Sequence, residues 1–134
     1  KEKNFQPKKY YSQIFFDKKD LNQLNSLGHL IGLHSHNHPT LLERLSYEEQ
    51  KNEYSTCLNV LSKILNKPFN AIKTASHPNG SYNDASLKIL KELGIELAFK
   101  DSMKIEKEKG MEKINNSFLE IARQDHAEIV KRMN

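Results

Sequence analysis

The order of apolar and polar positions along this chain predicts strands and helices in alternation. Residues 12–16 are predicted to form a short strand, and Asp17 suits the N-cap of a helix that Gly28 would end. The apolar face of that helix would carry Leu21, Leu24 and Leu27. Residues 29–34 are a second apolar run of strand length, and this run leads directly into a cluster of histidines.

The middle of the chain predicts a long helix and a further strand. Ser46 and Glu49 have the spacing of a capping box, and the helix should continue to about Asn66, because a proline follows two residues later. The buried stripe of this helix would consist of Tyr54, Leu58, Leu61 and Leu65. Residues 71–75 are the next strand candidate, and a polar loop over residues 76–82 follows them.

The alternation continues beyond this loop. A helix capped by Asn83 or Asp84 and ended by Gly94 precedes a strand candidate over residues 95–99, and residues 118–122 are a candidate for a last strand. Strands and helices that alternate at this length are typical of parallel strands with right-handed crossovers. The pattern therefore predicts an α/β fold, either layered or closed into a barrel.

Two polar loops follow predicted strands, one beginning at His34 and the other at Ser76. In parallel α/β folds, functional sites form at the carboxyl ends of the strands, which meet at one edge of the sheet. We therefore expect the two loops to share that rim.

The composition fits one folded domain over residues 1–134. Hydrophobic residues make up 37% and charged residues 28% of the chain, and 21 Lys and Arg against 17 Asp and Glu give a net charge of +4. The densest charged run, residues 104–113, alternates Lys with Glu, which argues against a nucleic-acid partner. No apolar stretch is long enough to span a bilayer, and no amphipathic patch indicates a membrane partner.

The ends of the chain and its cysteine content add little about the protein's location. Cys57 is the only cysteine, so an internal disulfide is excluded, and its helical surroundings favour a buried, inert thiol. Because the chain begins at Lys1 rather than at Met, we expect a fragment or a processed product. The visible sequence slightly favours the cytoplasm and does not indicate the oligomeric state.

Three of the six histidines fall within five residues, at His34, His36 and His38. Alternate residues of an extended segment share a face, so pairs of these rings could converge on one cation, and imidazole is the commonest ligand of zinc and similar ions. Exposed loop or capping histidines are the alternative interpretation. So dense a cluster favours metal binding.

The run over residues 28–39, GHLIGLHSHNHP, resembles the polysaccharide deacetylase family. The second motif of that family is His-Ser/Thr-any-any-His after a Gly-His-any-Ile-Gly strand, and its first and last histidines bind the metal. The resemblance implies that His34 and His38 hold a divalent metal, zinc first and nickel or cobalt as alternatives, while Ser35 orients the loop. It also implies an incomplete, distorted (β/α) barrel of parallel strands with outer helices.

The segment SHPNGSYN, residues 76–83, stands where the family carries its Arg-any-Pro-any-Gly motif. In the family, the residue before this glycine offers its backbone N–H to the oxyanion. That role would fall to Asn79, while Pro78 and Gly80 shape the turn. A plain Pro-Asn-Gly turn is the alternative, but the spacing from the histidines favours the family motif. The resemblance covers about residues 12–100.

The chain departs from the family pattern in two places. The Phe-Asp-Asp motif, which supplies the third metal ligand and the catalytic base, has no counterpart, because the chain contains no Asp-Asp pair. Asp17 lies too close to the histidines and fits better as a helix cap, so we expect that motif on a missing segment or another chain. In addition, Ser76 replaces the arginine that tethers the base in relatives.

The string from Arg123 to His126, RQDH, looks like the Arg-any-Asp tail of some family members. Arg123 could then replace the missing arginine, and Asp125 would add a carboxylate; equally, the string could begin a helix with Asp125 as its cap. The family uses a histidine as general acid. His126 is the first candidate for that role and His77 the second.

The resemblance therefore implies a metal-dependent hydrolase that removes acetyl groups from an N-acetylated sugar or polysaccharide, although this chain alone could be inactive without the aspartate motif. Two alternatives stay open. A His-any-His metallohydrolase, such as a phosphoesterase, would bind metal through His34 and His36, but that class does not explain the loop at residues 76–83. A non-catalytic glycan-binding or metal-binding remnant is favoured by the absent aspartates.

Overall fold

The computed structural model describes residues 15–101, 117–123, 129–130 and 133. In chain order its helices and strands are α1 (Lys18–Ser26), α2 (Tyr47–Leu65), β1 (Thr74–Ser76), α3 (Asp84–Glu92) and β2 (Leu97–Phe99). Short 3₁₀ helices cover Leu42–Arg44, Phe69–Ala71 and Pro78–Gly80. Within these described residues, no helix is both long and apolar enough to cross a membrane.

The two strands pair in parallel, with Ala75 of β1 opposite Ala98 of β2. Isolated bridges extend this pairing on both sides, since Leu33 pairs in parallel with Ala75, and Ile121 pairs in parallel with Phe99. Four extended segments thus lie side by side in chain order, which confirms the parallel α/β arrangement. In the described part of the chain they form an open sheet, and a closed barrel is not seen there.

The outer segments of this sheet are shorter than the sequence predicts. Residues 29–34 contribute only the Leu33 bridge, and residues 118–122 contribute only the Ile121 bridge. Each of these segments is paired on one side only in the described part, so few ladder hydrogen bonds define it as a strand. Of the strand predicted over residues 12–16, only residues 15 and 16 are described, and they are not in a strand.

The predicted capping residues begin all three helices. Asp17 accepts hydrogen bonds from the N–H groups that follow it and caps α1, Ser46 forms a capping box at the start of α2, and Asn83 caps α3. The long helix ends at Leu65, and its C-cap, Asn66, adopts a left-handed conformation with φ 50°. Local chemistry therefore sets these boundaries, as the sequence indicates.

The core is formed by α2, α3 and the inward-facing positions of the sheet. The predicted stripe of α2, Tyr54, Leu58, Leu61 and Leu65, is buried. The first three of these residues pack in one cluster with Leu33, Leu42, Ile72, Ala75, Ile89, Leu90, Ile95, Ala98 and Leu119. α1 has no buried residue; Leu21 packs against the edge of the core, whereas Leu27 is 67% exposed. The rim that carries the two polar loops is therefore supported mainly by α2 and α3.

Tyr54 provides a test of this packing. Its side chain is fully buried, and its hydroxyl has no hydrogen-bond partner among the described residues. Because an unsatisfied buried hydroxyl costs about 1–3 kcal/mol, we expect Tyr54→Phe to leave the free energy of unfolding unchanged or to raise it by about 1 kcal/mol. Urea denaturation measures this difference.

The matched control is Tyr47→Phe, since the Tyr47 hydroxyl donates to the Glu92 carboxylate at 2.8 Å. This variant should be slightly less stable than the wild type, because it loses one solvent-exposed hydrogen bond. A loss of more than about 1 kcal/mol in Tyr54→Phe would contradict the expectation and show that the buried hydroxyl has a partner.

Candidate functional site

The two polar loops begin side by side on the sheet. The Leu33 N–H donates to the Thr74 carbonyl oxygen at 2.9 Å, and the Ser76 N–H donates to the Leu33 carbonyl oxygen, also at 2.9 Å. Because this pairing is parallel, the next residue, His34, emerges beside Ser76. The prediction that both loops share the carboxyl rim of the sheet is confirmed.

The ring of His34 is held by the backbone of the second loop. Its Nδ1 lies 2.8 Å from the Ser76 carbonyl oxygen and 3.2 Å from the Ser76 hydroxyl. A carbonyl oxygen only accepts hydrogen bonds, so Nδ1 carries the hydrogen, and in the neutral ring Nε2 keeps its lone pair. Histidines that bind metals are commonly fixed through the second ring nitrogen in this way.

His38 is brought back toward His34 by two unusual backbone conformations. Ser35 has φ 60° and His38 has φ 53°, both in the left-handed region that non-glycine residues seldom adopt. The Ser35 hydroxyl accepts a hydrogen bond from the His38 N–H at 3.1 Å. As a result the two imidazole rings lie with centroids 4.9 Å apart and planes tilted by 58°. Strained backbone of this kind is concentrated at functional sites.

Glu53, on α2, binds the two residues between Ser35 and His38. Its carboxylate accepts hydrogen bonds from the N–H groups of His36 (2.9 Å) and Asn37 (2.7 Å), and from the Asn37 side-chain amide at 2.7 Å. Burial opposes ionisation of Glu53, but the hydrogen bonds from Asn37 and His36 outweigh it and hold its pKa below the ordinary value. Glu53 was not predicted to belong to the site. In the sequence it is marked only as an acidic residue next to Tyr54 of the buried stripe of α2.

Cys57 lies one turn beyond Glu53 on α2. Burial raises the pKa of its thiol, although a hydrogen bond from the His34 backbone acts in the opposite direction. The thiol is therefore protonated near neutral pH, and Cys57 is partly buried rather than fully buried as predicted.

Asn79 occupies the tight turn of the second loop. It has φ 51° and ψ 24° inside the turn Pro78–Gly80. The hydrogen bonds of this turn are donated by Gly80 to the His77 carbonyl oxygen at 3.1 Å and by Ser81 to the Pro78 carbonyl oxygen at 2.8 Å. The turn therefore does not use the Asn79 N–H, and Asn79 is solvent-exposed.

The segment after the histidines is also bonded to the second loop. The Asn83 side-chain amide donates to the Glu43 carbonyl oxygen at 2.8 Å, and the Glu43 N–H donates to the Ser81 hydroxyl at 3.1 Å. These bonds join the two loops away from the sheet as well as on it. The rim is therefore a connected polar surface rather than two independent loops.

His77 points into the protein rather than into the rim. It is 1% exposed, its Nε2 lies 2.8 Å from the Leu119 carbonyl oxygen, and its ring stacks on Tyr82 with centroids 4.1 Å apart. Burial lowers the pKa of the imidazole, so the ring is neutral at neutral pH. This position gives His77 a structural role and does not support its predicted role as a general acid.

The buried His77 predicts a pH dependence of stability. Burial depresses its pKa below the ordinary 6.5, so the unfolded chain binds a proton that the folded chain does not. Stability should therefore be fully present above about pH 6.5 and fall as the pH drops below that value. Unfolding temperatures measured between about pH 7.5 and pH 5.5 should decline more steeply for the wild type than for His77→Gln.

Carboxylates with a lowered pKa, such as Glu53, also stabilise the folded chain. Their contribution is lost only as the pH falls below their ordinary pKa of 4.5, which lies outside this pH window. His29→Gln is the control, because it makes the same substitution at an exposed histidine and removes no buried ring. Equal slopes for the wild type and His77→Gln would show that the buried ring accepts a proton in the folded state.

The remaining predicted site residues lie in the tail. Arg123 is exposed and follows the Ile121 bridge by two positions, at the carboxyl end of the sheet. Asp125 and His126 lie outside the described residues. A further acidic residue, Asp101, follows β2, and its carboxylate occupies the space that a Cβ on Gly80 in the second loop would need.

The amino-acid sequence matches the profile of a known protein family. The polysaccharide deacetylase profile matches residues 4–98, well over half of the chain. The chain belongs to the polysaccharide deacetylase family. A comparison with curated proteins finds no match.

Solved structures of deacetylases share the fold of this family member. A Streptococcus pyogenes deacetylase, PplD, solved in complex with acetate, is 22% identical with a TM-score of 0.69, covering 94% of this chain and 54% of its own. The BpsB deacetylase domain from Bordetella bronchiseptica is 13% identical with a TM-score of 0.64, covering 84% and 49%. A CE4 family pseudoenzyme from Bacillus anthracis is 18% identical with a TM-score of 0.54, covering 60% and 27%. The chain thus spans about half or less of the length of these structures.

The described part of this member of the polysaccharide deacetylase family offers two imidazoles but not a full ligand set. No group of three His, Cys, Asp or Glu side chains that could hold a metal occurs among the described residues. The two rings nevertheless suit a shared cation: a nitrogen-bound zinc at about 2.0–2.1 Å is compatible with ring centroids about 5 Å apart, and the measured separation is 4.9 Å. The separation of the His34 and His38 rings is therefore compatible with two ligands of one cation.

Proposed function

We propose that this chain is the metal-binding and oxyanion-binding part of a metal-dependent carbohydrate deacetylase with a distorted (β/α) barrel. Its substrate would be an N-acetylated sugar or polysaccharide, hydrolysed to acetate and a free amine. The observation that carries the proposal is the His34 ring, fixed through Nδ1 by the Ser76 carbonyl oxygen and lying beside His38. Membership of the polysaccharide deacetylase family supports the same reaction.

His34 and His38 would hold the metal, proposed to be zinc, with nickel or cobalt as alternatives. Such a cation supplies a Lewis acid that polarises the acetamide carbonyl and eases deprotonation of water near neutral pH. The contribution of His34 is a lone pair on Nε2 whose direction is set by its Nδ1 hydrogen bond at 2.8 Å. The contribution of His38 is a second imidazole on an exposed loop that substrate can reach.

Asn79 would stabilise the charge that develops on the acetamide oxygen. Its backbone N–H is not used by the turn that contains it, so the donor is free of local competition. Ser81 and Asn83, which follow the turn, are bonded to Glu43 in the segment after the histidines, and these bonds support the position of the donor relative to the proposed metal ligands. A preorganised donor costs little reorganisation when the oxyanion forms.

The proton-transfer groups are proposed from the family pattern. We place the third metal ligand and the catalytic base outside the described residues, since those residues contain no complete ligand group. Arg123 and Asp125 would hold the base in place, and His126 would protonate the departing amine. His77 is the weaker candidate for the acid because its ring is buried and bonded to the Leu119 carbonyl oxygen.

Product analysis tests the proposal. The chain, loaded with zinc, is incubated with an N-acetylated chitooligosaccharide and separately with a generic phosphate ester. Acetate release that a chelator abolishes supports the deacetylase. Phosphate release would instead indicate the His-any-His metallohydrolase, and absence of both zinc binding and acetate release would contradict the proposal.

A non-catalytic protein that binds metal or glycan is the second candidate. It is favoured by the lack of a complete ligand group among the described residues, and a solved pseudoenzyme shares the fold. It predicts that zinc or the oligosaccharide binds with no release of acetate. Calorimetric titration with each ligand, read beside the acetate assay, distinguishes the two candidates.

A further inference from the structure

We propose that Glu53 is a positioning residue that sets the backbone of the histidine loop, residues 35–38, and thereby places His38 beside His34. The inference rests on the proposed function only in assigning these two histidines to a metal. The placement of the loop itself follows from the hydrogen bonds of the Glu53 carboxylate. Glu53 would touch neither metal nor substrate.

Both oxygens of Glu53 are committed to this loop. Oε2 accepts from the N–H groups of His36 and Asn37 at 2.9 and 2.7 Å, and Oε1 accepts from the Asn37 side-chain amide at 2.7 Å. The side chain is only 8% exposed, although it is charged. A buried carboxylate needs such donors to offset its lost hydration, and here all three of these donors come from the histidine loop.

The loop in turn needs an acceptor at this point. Ser35 and His38 have left-handed backbones at φ 60° and φ 53°, and the N–H groups of the two residues between them converge on one oxygen. Successive N–H groups in such a conformation form a concavity that favours an anion. Glu53 supplies this anion from within the protein, which stabilises the otherwise costly backbone of Ser35 and His38.

α2 makes Glu53 a rigid anchor. The helix runs for 19 residues, and the residue next to Glu53, Tyr54, is fully buried in the core. The carboxylate therefore has little freedom to follow the loop, and the loop is held where the helix places it. By this route the core of the domain determines the separation of the two imidazoles, 4.9 Å between centroids.

Three variants of the full chain test the inference. Glu53→Ala removes all three acceptor contacts. Glu53→Gln keeps the shape and retains one oxygen that can accept from His36 and Asn37. Glu48→Ala, at an exposed glutamate on the same helix, controls for the loss of one negative charge from that helix. Circular dichroism and the unfolding temperature confirm that each variant is folded.

Two readouts are measured on each protein. Amide hydrogen exchange of the metal-free chain reports the hydrogen bonds of His36 and Asn37 directly. Zinc titration by calorimetry, with the visible spectrum of bound cobalt as a second measure, reports whether the imidazoles remain placed for a metal. A folded variant that is merely less stable should keep the cobalt spectrum of the wild type. A change in this spectrum therefore reports a change in the placement of the imidazoles.

We expect Glu53→Ala to lose protection at His36 and Asn37 and to bind zinc about 10–100-fold more weakly, with Glu53→Gln restoring most of both and Glu48→Ala unchanged. Unchanged exchange in Glu53→Ala overturns the positioning role, as does unchanged zinc affinity when the wild type binds zinc. If the wild type binds no zinc, the proposed function fails, and the exchange measurement still decides whether Glu53 sets the loop.

Discussion

His38→Ala is expected to lower the affinity for zinc at least about 100-fold while leaving the fold intact. A zinc site of four ligands contributes about 10–16 kcal/mol, so one ligand accounts for roughly 3 kcal/mol, or about two orders of magnitude. The His38 side chain is exposed, so no core contact is lost with it. Calorimetric titration with zinc measures the affinity, and circular dichroism checks the fold.

His36→Ala is the matched control for this experiment. The His36 ring is exposed and lies on the same loop, while the hydrogen bond from His36 to Glu53 uses the backbone N–H and survives the substitution. If His34 and His38 are the ligands, His36→Ala should bind zinc within about twofold of the wild type. The reverse result, with loss only in His36→Ala, would assign the metal to a His-any-His pair and favour the phosphoesterase alternative.

Gly32→Ala is expected to disturb both stability and metal binding. A Cβ at Gly32 would lie 2.7 Å from the carbonyl oxygen and 3.0 Å from the carbonyl carbon of Thr74, which are backbone atoms and cannot rotate away. The extended segment that contains Gly32 and Leu33 must then move away from β1. This movement breaks the bridge from Leu33 to Ala75 and draws His34 away from the Ser76 carbonyl oxygen. We expect a loss of about 1–3 kcal/mol in stability and a 10–100-fold weaker affinity for zinc.

Gly94→Ala is a stringent control for this substitution. Gly94 has φ +77°, and a Cβ there would meet no atom within 4 Å. The control should therefore lose about 1 kcal/mol through backbone strain alone and keep its affinity for zinc. Urea denaturation and zinc titration on both variants separate the effects. If Gly32→Ala binds zinc as the wild type does, the His34–Ser76 contact is not what places the imidazole.

Features set by neighbouring residues were predicted well from the sequence. Asp17, Ser46 and Asn83 cap their helices as expected, because a capping bond joins residues two or three positions apart. The stripe that includes Tyr54 is buried, because helical periodicity is a local property. The parallel arrangement followed from the order of elements, although the outer segments proved shorter than predicted.

The details of the candidate site were not predictable in the same way. Glu53 meets the loop 16 and 17 residues earlier in the chain, and Ser76 meets His34 across 42 residues. His77 was a candidate general acid on the sequence pattern, yet the fold buries its ring against Leu119, also 42 residues away. No local pattern encodes such pairs, because they depend on how separate elements pack.

The sequence by itself determined the helix boundaries, the alternation of elements and the family, and it singled out the two histidines that we propose as metal ligands. The tertiary structure decided which nitrogen of His34 keeps its lone pair, how close His38 comes to it, and that Glu53 anchors the loop between them. The physical reason is the range of the interactions. Capping and periodicity act within one or two turns of chain, whereas the geometry of a site is fixed by hydrogen bonds between segments that only the folded core brings together.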